Sequence, residues 1–166
     1  VNLTPPAVVA RVLAEAALAL PQAAVTNAYG TTEAGPVVFG PHPRGLPQPE
    51  MSVGYPHPKV TLRLVGGDDR NGAQGVLEMK CRAVMLGYHK DPEATARTLH
   101  DGGWLATGDL GYRDADGFYF ITGRLKELII KGGENIAPRE IDEALLKHPA
   151  VLEAAAVGIP DHDYGQ

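Results

Sequence analysis

Three short clusters in this sequence bring together residue types that can hold a nucleotide. The first is Tyr29-Gly30-Thr31-Thr32-Glu33. A tyrosine ring offers a flat face to a purine, a glycine lets the backbone approach it, and a threonine hydroxyl can bond a phosphate oxygen. A glutamate at that place can reach a magnesium ion, which favours one or two carboxylates plus phosphate oxygens. A polar turn explains the same pentapeptide without any ligand. The second cluster is Trp104-Leu105-Ala106-Thr107-Gly108-Asp109, where a strand-end aspartate can accept charge-assisted hydrogen bonds from the two adjacent hydroxyls of a ribose. A turn or capping role is the plainer reading of Asp109. The third is Gly123-Arg124-Leu125-Lys126-Glu127 with Gly132-Gly133-Glu134-Asn135 behind it. Arginine presents a fixed fork of donors to sugar or phosphate oxygens, whereas paired glycines at a hairpin tip are ordinary turn chemistry.

The elements that must position these clusters are read from spacing. Thr4 and Pro5 open a helix in which Val8, Val12, Ala16 and Leu20 recur every fourth residue, and Pro21 stops it. A short strand is expected over Val25 to Ala28. Seven prolines between Pro36 and Pro58 indicate an extended surface connection, with His42 and His57 solvated in it. Alternation then predicts strands around Val60, Leu62 and Leu64 and around Leu77, Met79 and Cys81, joined through Gly66-Gly67-Asp68-Asp69. Cys81 is expected in the core. Asp91-Pro92-Glu93 starts a short helix that ends near Leu99. Trp104 to Tyr112, with Trp104 as a core anchor, and Phe118 to Thr122 read as strands. Leu128 to Ile136 reads as a hairpin turning at Gly132-Gly133. Pro138 starts a helix with Ile141 and Leu145 inward, Glu143 and Lys147 paired four residues apart, and Glu140, Asp142 and Glu143 on a solvated face. Val151 to Ile159 completes the pattern as a strand.

Bulk properties set the class. With 44% hydrophobic and 21% charged residues among 166, the chain can bury a core, and Gly 20 with Pro 14 implies many loops. A net charge of −5 gives no footprint for a nucleic-acid backbone. The one cysteine forbids an internal disulfide and suits a reducing cytoplasm. No apolar stretch is long enough for a membrane span, no signal peptide is seen, and the six histidines have no ligand spacing for a zinc-type metal.

In this order and spacing, the clusters resemble the adenylate-forming superfamily, which includes acyl-CoA ligases, luciferases and the adenylation domains of peptide synthetases. The resemblance runs over almost the whole chain and is tightest at Ala28–Glu33, Val53–Pro58, Gly75–Asp109 and Gly117–Gly165. It implies that Tyr29 stacks on adenine beside Ala28, Gly30 and Thr31, that Thr32 bonds the α-phosphate, and that Glu33 holds magnesium. It further implies that Asp109, Ile121 and Arg124 contact the ribose or base. Lys126 falls at the family's hinge, and Gly132, Gly133 and Glu134 in the hairpin that lines its CoA channel. The wording of Gly132 to Pro138 is similar to stand-alone acid–CoA ligases rather than to luciferases or peptide synthetases.

The fold expected is α+β. Residues 1–48 would be a remnant of an α/β subdomain carrying the adenine loop, 49–122 a β-rich subdomain, 123–126 a hinge, and 127–166 the opening of a small α+β C-terminal domain. The family's phosphate loop is expected before Val1 and its catalytic lysine after Gln166, so the chain is expected to begin and end inside a longer protein and to be inactive alone. The implied reaction joins a small carboxylic acid to CoA, using ATP with Mg2+ and releasing AMP. An adenylation domain that loads a carrier protein is the alternative among enzymes, and a non-catalytic nucleotide-binding fragment is the alternative from another class.

Overall fold

The computed structural model describes residues 6–35, 38–67, 72–163 and 165. Thr4 and Pro5, proposed to open the first helix, and Asp68 and Asp69 of the proposed turn lie outside them. In chain order the elements are α1 (Pro6–Ala19), β1 (Phe39–Gly40), β2 (Tyr55–Pro56), β3 (Thr61–Val65), β4 (Gly75–Lys80), α2 (Pro92–Thr98), β5 (Leu99–His100), β6 (Trp104–Arg113), β7 (Tyr119–Arg124), β8 (Ile129–Lys131), β9 (Glu134–Ile136) and α3 (Pro138–Leu146). This is the α+β class expected. The chain divides into two compact units, Thr26–Ile121 and Val1–Val25 together with Thr122–Gln166.

In the first of these units, β3, β4, β6 and β5 lie side by side in that order, and β7 also pairs with β6. Alternation decides which face is buried. Leu64 stands opposite Leu77 and Met79 opposite Leu105, and Leu77, Met79 and Leu105 are no more than 1% exposed. The other face carries Glu78, also buried. Its carboxylate takes a hydrogen bond from Arg63 Nε at 2.7 Å and has His100 Nδ1 at 2.8 Å. The Arg63 guanidinium lies 4.1 Å over the Trp104 ring, so Trp104 is a half-buried platform for an arginine rather than a core anchor.

β6 is not a regular strand. Between the pairs Val76–Leu110 and Glu78–Ala106, two steps along β4 match four along β6, a bulge. Gly108 makes the bulge possible with φ +73°, a conformation that costs other residues energy. The Thr107 hydroxyl bridges it, donating to Leu77 O at 2.7 Å and accepting from Asp109 N at 3.0 Å. Close packing of β6 on β7 leaves no room at Gly111, where a Cβ would lie 2.5 Å from Phe120 O. Gly111→Ala should therefore destabilise the protein by about 2–3 kcal/mol, the upper end of the cost of overpacking. Urea denaturation with an unchanged midpoint would show that β6 and β7 can separate cheaply.

Several expectations are corrected. Val25 to Ala28 and Val151 to Ile159 are not strands; among the described residues no neighbouring strand runs beside them, and a strand exists only by pairing. The proline-rich connection does contain strands, because Phe39–Gly40 pairs with Tyr55–Pro56. His42 is 6% exposed rather than solvated: its ring packs against Tyr55 and Phe118, its Nε2 lies 3.0 Å from Asp116 O, and its Nδ1 accepts from Arg44 N. His57 is half-buried, and Cys81 is half-buried just past the end of β4. On α3, Ile141 and Leu145 are exposed. Glu143 pairs with Arg139 at 3.2 Å instead of Lys147, and Asp142 turns back to accept from Ala156 N at 2.6 Å.

Candidate functional site

The segment at Asn27 is tied down by Gln48. Gln48 Nε2 donates to Asn27 O at 3.1 Å and to Ser52 O at 2.7 Å. Beyond it the chain closes a tight turn, in which Thr31 pairs with Gly35 and its hydroxyl accepts from Ala34 N at 3.1 Å. Gly35, with φ +83°, permits the reversal. An open depression of about 380 Å³ results, lined by Ala28, Tyr29, Gly30, Thr31, Thr32 and Gly35. Ala28, Gly30 and Thr32 are exposed around it.

Tyr29 links this depression to the second cluster. Its ring is 9% exposed and sits edge-on to Phe39, with centroids 5.9 Å apart. Its hydroxyl donates to Oδ2 of Asp109, across 80 residues of sequence. Asp109 is 1% exposed. The β6 bulge gives the reason, since a bulge re-aims the side chains that follow it. A sugar that uses the Asp109 carboxylate must share or displace the bond from Tyr29. Ile121, on β7, is 8% exposed.

Glu33 is half-buried and held at two points. Its main-chain oxygen accepts from Met85 N at 2.7 Å, and its Oε1 accepts from the Tyr88 hydroxyl at 2.8 Å. The hydrogen bond to Glu33 above all, with burial next, raises the Tyr88 hydroxyl pKa above its ordinary value. Nothing in the sequence marks Tyr88, because its bond to Glu33 spans 55 residues. Among the described residues no three His, Cys, Asp or Glu side chains gather as a metal cluster. One carboxylate is nonetheless sufficient for a magnesium ion that takes its other ligands from phosphates and water.

The remaining candidates belong to the second unit. Arg124 ends β7 and is half-buried. Lys126 is exposed in a single 3-10 turn, Leu125–Glu127, between residues in extended conformation. Gly132 and Gly133 form the two-residue turn between β8 and β9 with φ +58° and +89°, the paired positive values of a type I′ hairpin. A Cβ on either would meet nothing within 4 Å, and Glu134 is exposed beside them. A larger cavity of about 760 Å³ in this unit is lined by Lys126, Pro138, Arg139, Asp142 and the stretch 153–158, among others. Burial lowers the Arg139 pKa from its usual value, and Glu143 pulls it partly back. Of the third cluster, Gly123, Lys126 and Glu127 line that cavity, while Ala28 to Glu33, Asp109, Ile121 and Arg124 do not, so its size does not make it the nucleotide site.

No protein-family model matches the chain. Over 118 residues it is 58% identical to the sulfoacetate–CoA ligase of Cupriavidus necator, a match covering 69% of this chain and 23% of that enzyme. Over 164 residues it is 38% identical to the fatty acid–[acyl-carrier-protein] ligase ScoC of Streptomyces coeruleorubidus, covering 95% and 31%. The o-succinylbenzoate CoA synthetase of Bacillus subtilis, solved with its acyl-adenylate intermediate, superposes with a TM-score of 0.72 at 34% identity, covering 84% of this chain and 29% of that one. The chain thus spans about a quarter of the length of the curated relatives it matches. Among the described residues no helix is long and apolar enough to cross a membrane. Shared sequence over most of the chain and a shared fold at this identity agree: the chain belongs to the adenylate-forming enzymes, the family of the acyl-CoA synthetases.

Proposed function

We propose that this chain carries the adenosine-binding part of an acid–CoA ligase. The observation behind this reading is the hydrogen bond from Tyr29 to Asp109, which joins two clusters 80 residues apart beside one depression. In the first step a carboxylate oxygen of the acid attacks the α-phosphorus of ATP, pyrophosphate leaves, and a mixed acyl–phosphate anhydride forms. In the second a thiol, its proton lost, attacks the acyl carbonyl and AMP leaves.

The roles follow from side-chain chemistry. Ala28, Gly30 and Thr31 offer backbone beside the base, with Tyr29 and Ile121 as its apolar walls. The Thr32 hydroxyl donates to an α-phosphate oxygen, Asp109 bonds the ribose hydroxyls, and the Arg124 guanidinium suits a sugar oxygen. Glu33 is the residue to hold a magnesium ion, which supplies charge neutralisation on the phosphates. Lys126 is the hinge residue, and Gly132, Gly133 and Glu134 border the path of the CoA arm. In all of this the protein acts by positioning and by electrostatics rather than by covalent chemistry. We place the enzyme in the cytoplasm, where a chain with a single cysteine suits the reducing conditions.

A second reading, that the thiol acceptor is a carrier protein, is favoured by the likeness to a fatty acid–[acyl-carrier-protein] ligase. The test is run on the whole enzyme that carries this chain. Pyrophosphate–ATP exchange is followed with a panel of carboxylic acids, then AMP release with CoA or with a pantetheinylated carrier. The proposal expects exchange with at least one acid and AMP release on CoA. Release on the carrier alone would favour the second reading. Nucleotide binding without exchange for any acid would leave only a nucleotide-binding module.

A further inference from the structure

Tyr88 is held in place by more structure than an exposed tyrosine needs. Its amide donates to Thr95 Oγ1 at 2.9 Å, and that hydroxyl donates onward to Asp91 O at 2.8 Å. Asp91 in turn caps α2, accepting from Ala94 N at 2.8 Å. The chain between Tyr88 and Asp91 closes a bridge with Lys90 at φ +55°, a conformation that costs a non-glycine residue energy. Gly87 allows the closure, since a Cβ there would lie 2.9 Å from Thr95 Cγ2 and 3.0 Å from its hydroxyl. Two residues before Gly87, Met85 N grips the main chain of Glu33 at 2.7 Å, and the Tyr88 hydroxyl grips its carboxylate at 2.8 Å.

The Tyr88–Glu33 bond is exposed, so water competes with both partners and the bond contributes little to folding. Its consequence is geometric. A carboxylate free to rotate meets a metal in many orientations, whereas one anchored through one oxygen presents the other in a fixed direction. We propose that Tyr88 is a positioning residue for Glu33, fixing the carboxylate orientation that receives the nucleotide-bound divalent cation. The capped start of α2 is the frame that holds Tyr88 itself. This rests on the reading of Glu33 as the metal carboxylate.

The probe is Mn2+, followed by electron paramagnetic resonance on the whole enzyme with α,β-methylene-ATP, whose α–β bridge does not break. Tyr88→Phe keeps the ring and deletes the hydroxyl, with its bonds to Glu33 and Thr98, so Mn2+ affinity should fall about tenfold, as on losing a partner behind a metal ligand. Affinity for the metal-free nucleotide and the melting curve should not move. Thr95→Val, which removes the acceptor of the Tyr88 amide and leaves the Tyr88 hydroxyl in place, should fall in the same direction by less. Glu33→Gln separates the two levels of the argument. If it weakens Mn2+ and Tyr88→Phe does not, the positioning role is wrong while the Glu33 reading stands. If Glu33→Gln leaves Mn2+ affinity intact, both are wrong. Equal loss of metal-bound and metal-free nucleotide in Tyr88→Phe would also overturn the proposal, because it would mark a general structural role.

Discussion

Replacing Asp109 by alanine in the whole enzyme is expected to weaken ATP binding by at least about 100-fold. The proposed ribose contact consists of two hydrogen bonds to a charged acceptor, each contributing about 1.5–3 kcal/mol, and every 1.4 kcal/mol is about tenfold in affinity. The substitution also removes the acceptor of the buried Tyr29 hydroxyl, which disturbs the wall of the depression and adds to the loss. Tyr29→Phe is the control. It keeps the ring and removes the donor to Asp109 but takes away neither proposed sugar contact, so its effect on ATP affinity should stay well below that of Asp109→Ala. Titration calorimetry gives both affinities, and a melting curve shows whether either variant unfolds. A well-folded Asp109→Ala enzyme that binds ATP as tightly as the wild type would remove the ribose assignment.

The second large effect is expected at Lys126, and it is a split between two reactions. Proline fixes φ near −65°, removes an N–H and pushes the preceding residue out of the helical region. In the 3-10 turn Leu125–Glu127 that restricts Leu125 and Lys126 together, where a hinge must change its dihedrals. If the conformation so frozen is the adenylating one, Lys126→Pro should keep acyl-adenylate formation and lose thioester formation by about 100-fold or more, the scale of losing reactant alignment. Lys126 is exposed in this turn, so no core contact is lost with its side chain, and the melting temperature serves as the control on folding. Measuring pyrophosphate exchange and thioester formation separately checks this. Equal loss of both, with a lowered melting temperature, would mark the position as structural.

How much of this was legible before the structure depends on whether the signal was local. The hairpin at Gly132-Gly133 was, because paired glycines between short apolar runs determine both turn type and register. Helix α2 was, through the Asp91 cap and Pro92. The strands holding Leu64, Leu77 and Leu105 were, through alternation. Val25 to Ala28 and Val151 to Ile159 misled because an apolar run states only that a strand is permitted, and pairing decides whether it forms. The exposure of Ile141 and Leu145 shows the same limit on α3, where spacing gives a stripe but not what covers it.

The candidate site divides along the same line. Five of the six residues lining the depression lie in one contiguous stretch, Ala28 to Thr32, and Gly35 is the sixth. Gly108 fell inside an expected regular strand, Trp104 to Tyr112, and nothing local said that a bulge there would turn Asp109 toward Tyr29. His42 looked solvated because prolines surround it, and its burial comes from Tyr55 and Phe118, residues distant in sequence. Tyr88 was invisible for the same reason: its partner lies 55 residues away.

The most direct test of the central claim is a crystal structure of the whole enzyme with AMP bound. Adenine is expected in the depression of Ala28, Gly30 and Thr31, an α-phosphate oxygen on the Thr32 hydroxyl, and both ribose hydroxyls within hydrogen-bonding distance of the Asp109 carboxylate. Tyr29 would then share its acceptor with the sugar or release it. AMP bound elsewhere, with the Tyr29–Asp109 hydrogen bond intact and no nucleotide atom near either cluster, would contradict it.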